Sequence, residues 1–142
     1  MFKLSVSMKV NKFDLVDKLL TEMAHQATVA GAEATVTDAR SQIEEQIGSG
    51  VKYPNLPNQS SAPGEAPVNQ MEVLRDSIEI NPETSVIGIG TEAIVGAPYG
   101  PYLEFGTTKM DPRPFFQPAS VVGEEVAVEY VESIPAALKR IL

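Results

Sequence analysis

Apolar and polar residues alternate at the N-terminus. Phe2, Leu4, Val6, Met8 and Val10 are separated by Lys3, Ser5, Ser7 and Lys9, the period of two expected for a strand with one buried face. Asn11 follows at a place that suits a helix N-cap, with Asp14 three residues on, near the positive end of a helix dipole. From there the period becomes helical, and Phe13, Val16, Leu20, Met23, Ala27, Ala30 and Ala34 stay within one arc. The next apolar set, Val36, Ala39, Ile43 and Ile47, falls on the opposite side of the same wheel. Gly31 and the β-branched run Thr35-Val36-Thr37 lie at the change. The pattern therefore predicts a long helix that either bends onto its own core or turns its second half to another subunit.

Residues 48–70 hold four prolines, three glycines and almost no periodicity, which predicts a long flexible loop within the domain, of a kind that is functional or ordered by a partner. Residues 71–78 have the spacing of a short helix through Met71, Leu74 and Ile78. Residues 77–80 and 86–90 then read as two strands joined by the turn-rich Asn81-Pro82-Glu83-Thr84-Ser85. Phe115, Ala119, Val122, Val126 and Tyr130 share one face for about four turns, a C-terminal helix that Pro135 should kink or end. The expected fold is α+β: a long N-terminal helix and a C-terminal helix on a small, mainly antiparallel sheet, in one domain spanning residues 1–142.

Composition narrows the chemistry. A chain of 142 residues buries roughly 70% of its unfolded surface on folding, so a real core is possible. The absence of cysteine excludes disulfides, zinc ribbons and thiol nucleophiles. No apolar run approaches the roughly 18 residues of a membrane helix, and the alternating N-terminus is not the apolar block of a secretory signal, so synthesis in the cytoplasm without export is the expectation. A net charge of -8 opposes tight binding along a nucleic-acid backbone.

Sites for catalysis are hard to assemble from these residues. Gly88-Ile89-Gly90 lacks the third glycine and the following helix of a dinucleotide loop, and reads better as a strand near a bulge. His25 is the only histidine and lies mid-helix. Glu124, Glu125, Glu129 and Glu132, like Glu44 and Glu45, fit solvated helix faces better than a carboxylate pair. The expectation is no catalytic residue, no metal and no cofactor.

The specific stretch is residues 100–119. Pro112, Pro114 and Pro118 hold Asp111, Arg113 and Gln117 extended, while Gly100 and Gly106 permit bends that other residues resist. Phe105, Phe115 and Phe116 are interleaved with Glu104, Lys109 and Arg113, at positions suited to ion pairs across a contact, and aromatics with arginine are the types enriched at subunit hot spots. The phenylalanines equally suit anchoring a loop-to-helix junction in the domain's own core.

PYLEFGTTKMDPRPFFQPA within this stretch resembles the signature of a family of tail components of tailed bacteriophages and prophages, the neck, tail-completion or head-tail joining proteins of long non-contractile tails. Tyr102, Glu104, Phe105, Gly106, Thr107, Lys109, Met110, Pro114, Phe115, Pro118 and Ala119 occupy the places of that signature. A second match precedes it, a Pro-Gly-x-x-Pro loop at Pro63, Gly64 and Pro67, then Leu74, Arg75, Ser77 and Ile78. The resemblance covers about residues 62–119. It departs just before Leu74, where the family has a Thr-Gly pair and this chain reads Met71-Glu72-Val73.

The resemblance implies an α+β subunit of a homo-oligomeric ring, six subunits being the expectation, in the virion neck or upper tail, assembled in the bacterial cytoplasm. Its partners would be the tail tube or tail terminator protein and the head-closure or connector protein. DNA would pass through the channel without specific binding, and no membrane is involved. Tyr102 to Pro118, with Arg113 and Phe116, and the 48–70 loop would carry the contacts. The alternatives are a small soluble ligand-binding domain or enzyme of unknown substrate and, third, an acidic inhibitor that mimics DNA.

Overall fold

The N-terminal alternation does not make a strand. The computed structural model describes residues 2–81 and 91–141, and in it one helix, α1, runs through Phe2–Glu45, 44 residues and so about 66 Å long. Asn11 lies inside it instead of capping it. Once a helix is nucleated, each further residue gains a backbone hydrogen bond at little cost, whereas a strand needs a neighbour for its backbone groups. The five alternating residues therefore extend the helix that follows them. Nor does α1 break at Gly31 or at the β-branched run.

The other elements are α2 (Val73–Asp76), β1 (Ile78–Ile80), β2 (Ala93–Val95), α3 (Gly100–Phe105) and α4 (Phe116–Ile141). Strands β1 and β2 pair antiparallel, with Ile78 opposite Val95 and Ile80 opposite Ala93. The partner of β1 thus comes after the predicted one, residues 86–90, which lie outside the described residues. Arg40 of α1 donates from Nε and Nη2 to the Ile78 carbonyl at 2.9 and 2.6 Å, tying the edge of β1 to the helix. The α+β arrangement is as expected: two long helices packed together with a small antiparallel sheet.

The core gathers Ala39, Ile43, Leu74, Ile78, Ala97, Phe115 and Ala119. Around Gly31 the two long helices cross at close range. A Cβ built on Gly31 would lie 2.8 Å from the Gly123 carbonyl oxygen and 3.0 Å from the Ala127 Cβ, and one on Gly123 would overlap Thr35 Oγ1. As α1 advances from 31 to 35 its neighbours on α4 retreat from 127 to 123, so the helices are antiparallel. The buried seam of α1 is Ala27, Gly31, Thr35, Ala39 and Ile43, a stripe of mostly small residues four apart. Thr35 donates its hydroxyl to the Gly31 carbonyl at 2.9 Å, which satisfies it inside the seam.

Helix α4 continues through Pro135 to Ile141, so the proline does not end it. Val131 and Pro135 are both exposed, and water can satisfy the carbonyl that the proline leaves without a donor. Beyond the crossing the two helices form an arm. No residue of 14–26 and none of 124–141 is fully buried.

Candidate functional site

The 100–119 stretch splits into a buried half that locks it and an exposed half that faces out. Gly100 opens α3 against the sheet, where a Cβ would come within 2.7 Å of Val95 Cγ1. Gly106 ends α3 at φ 75°, and a Cβ there would meet the Met110 carbonyl at 2.7 Å and Pro112 N at 2.9 Å. Both the angle and the crowding require glycine. Thr107 and Met110 then bond across a tight turn, with Thr107 N donating to Met110 O at 2.8 Å.

Glu104 does not wait for a cation. Its carboxylate accepts the backbone N–H groups of Phe115 and Phe116 at 2.9 Å and of Gln117 at 2.8 Å. These are donors that the start of α4 leaves without an intrahelical partner, and a carboxylate is favoured at that positive end. Replacing Glu104 by Ala is expected to lower stability by about 1–2 kcal/mol, the range for a lost N-cap. Equilibrium urea unfolding checks this, and an unchanged midpoint would show that the cap is dispensable.

Arg113 is likewise committed within the chain. Its guanidinium donates to the Ser61 carbonyl at 3.3 and 3.2 Å and to the Asp111 carbonyl at 3.3 Å, and its backbone N–H to Leu103 O at 2.6 Å. Of the phenylalanines, Phe115 is fully buried, Phe116 is half-buried and meets it edge-on at 6.4 Å, and Phe105 is 75% exposed. Tyr102 is 60% exposed beside it. Thr107, Lys109 and Pro118 are exposed, and Met110 and Pro114 half-buried.

The 48–70 loop is tied back at several points. Gly50 and Ser60 bond across it, as do Ser60 and Val51, and Gly64 N donates to the Pro112 carbonyl at 3.0 Å. Gly64 has φ 85°, Pro63 is exposed and Pro67 is buried. Glu65 accepts from the Ser49 hydroxyl and backbone N–H and from Ala62 N. The Ser49 hydroxyl bond, then those from Ala62 and Ser49 N, hold its carboxyl below the ordinary value. A lowered carboxylate pKa stabilises the fold above the ordinary value and ceases to do so as pH falls through the lowered one. The Ser49 and Ala62 amide shifts should therefore move toward unfolded-loop values as pH falls below about 4. The Glu65→Gln variant should lack that acid-dependent step in an NMR titration.

The Leu-Arg-x-Ser-Ile step builds the short helix. Leu74 and Ile78 enter the core, Ser77 donates its hydroxyl to the Leu74 carbonyl at 2.7 Å, and Arg75 lies 2.9 Å from Asp76, 3.5 Å from Glu72 and 3.6 Å from Glu44. Glu72 stands at φ 64°, the left-handed region, in the segment where the resembled family has its Thr-Gly pair. Glycine takes this conformation freely.

Between loop, α2 and α3 lies an apolar groove of about 540 Å³, walled by Tyr53, Leu56, Met71, Val73, Tyr99 and Met110. Met71 is 65% exposed, and Tyr53, Val73 and Tyr99 are also exposed. Reading the chain in order did not find this groove, because its walls come from three separate segments. Among the described residues no group of three His, Cys, Asp or Glu side chains could hold a metal ion. His25 is half-buried on α1, far along the chain from the groove. Comparison with family models, with curated proteins and with solved structures gives no match for this chain.

Proposed function

We propose that this chain is a structural protein of a phage or prophage virion, a subunit of a ring at the head-tail junction or the upper end of the tail. It would join the tail tube to the head connector and leave a channel for DNA, catalysing nothing. The reading starts from the resemblance of residues 62–119. The observation that carries it is the division of labour in that stretch: Glu104, Arg113 and Phe115 immobilise it from within, while Phe105 and Tyr102 stand in solvent. Large aromatic side chains held out on a braced segment are what an interface core requires.

The test is made in a host that produces virions carrying this gene. With the gene inactivated, heads and tails should accumulate unjoined, or tails should have faulty ends, and Phe105→Asp should reproduce the defect with the subunit still folded. Intact, infectious particles without the gene product would sink the reading. A second reading, a ligand-binding domain, has the groove in its favour, since about 540 Å³ is a common size for a small-molecule site.

A further inference from the structure

Two apolar features of the molecule are left uncovered, and they lie at opposite ends. One is the groove. The other runs along α4, where Val121, Val128 and Val131 are each about half exposed. At 100° per residue they share with Pro135 and Lys139 an arc of about 80°. Antiparallel to α1, α4 leads from the crossing at Gly123 away from the core, so the distal stripe cannot fold into the groove of its own chain.

The charges at the two features are opposite. At the groove mouth Glu72, Glu44 and Asp76 surround the single guanidinium of Arg75, three carboxylates to one cation. The stripe ends in a helical turn with Lys139 and Arg140, and neither forms an ion pair with any described residue. Glu72 also holds its carboxylate at the mouth from a backbone conformation that glycine would adopt more easily.

We infer that the distal half of α4 from one copy of the chain docks in the groove of the next, with Val128, Val131 and Pro135 against Met71, Val73 and Tyr99, and Lys139 beside Glu72. This is recognition of an amphipathic helix by an apolar groove. Because stripe and groove are different surfaces the contact is heterologous, and repeated, it closes into a ring or continues as a filament. It supplies a subunit contact for the ring proposed above and rests on that reading for its place in a virion.

Mass is measured by light scattering over a concentration series, with circular dichroism confirming the fold of each variant. The wild-type chain should form multi-subunit species. Glu72→Lys alone and Lys139→Glu alone should each weaken association about tenfold or more, as like charges meet across the contact. Both together in one chain should restore it to within about threefold, the signature of a direct pair. A mixture of Met71→Asp and Val131→Asp chains should stop at dimers, since only one intact groove then meets one intact stripe. A wild-type chain that stays monomeric, single variants that associate normally, or a charge swap without recovery would each overturn the inference. Rings that persist in these variants would overturn the contact while leaving the virion reading to its own test.

Discussion

Phe115→Ala should lower the unfolding free energy by about 3–5 kcal/mol, the range for emptying a fully buried phenylalanine site. Set against the roughly 5–15 kcal/mol that holds a typical domain together, this would leave a large fraction of the chain unfolded at moderate temperature. The ring sits where α1, α2, β1 and α4 converge, among Ile43, Leu74, Ile78 and Ala119, so no single element can move in to fill the void. Phe105→Ala, ten residues earlier in the same stretch, should change stability by no more than about 0.5 kcal/mol, as exposed positions do. Urea unfolding of the pair separates anchor from surface. Equal losses at both positions would contradict the split of the motif into a buried and an exposed half.

The second large effect is expected at the helix crossing. Alanine is a better helix former than glycine by about 1 kcal/mol, so Gly123→Ala would stabilise an isolated α4. Here the added methyl group would overlap Thr35 Oγ1 and come within 2.5 Å of the Gly31 carbonyl oxygen. Forcing the helices apart should cost about 1–3 kcal/mol or more, reversing the sign set by propensity. Removing the hydroxyl with Thr35→Ala should recover only part of the loss, because the Gly31 backbone remains in the way. Thermal unfolding of the single and double variants is the check, and a raised midpoint for Gly123→Ala would mean the helices are not in close contact there.

Those two glycines show why part of the fold was legible in the sequence and part was not. The positions that fill the core, Ile43, Leu74, Ile78, Phe115 and Ala119, were visible because their spacing repeats and their side chains are apolar. The seam of Gly31, Thr35 and Gly123 gave no such signal, since closeness of approach comes from missing side-chain atoms and not from hydrophobicity. The N-terminal alternation misled because it reports only which residues are apolar; whether a neighbouring strand exists is decided elsewhere in the chain. In the candidate site, the bends at Gly106 and the prolines were readable locally. The role of Glu104 was not, because its partners lie 11 to 13 residues ahead and are backbone groups, which no side-chain pattern reveals. Tyr53, Met71 and Tyr99 belong to one groove only after folding brings three segments together.

The length of α1 governs how the molecule moves through solvent. A 142-residue chain folded as a sphere has a radius of gyration of about 14 Å, hence a diameter well below the roughly 66 Å of α1 alone. The frictional drag of a single subunit therefore exceeds that of a sphere of its 15.3 kDa mass. It will leave a sizing column early and sediment slowly, so that a lone chain imitates a small oligomer by the first method and a lighter particle by the second.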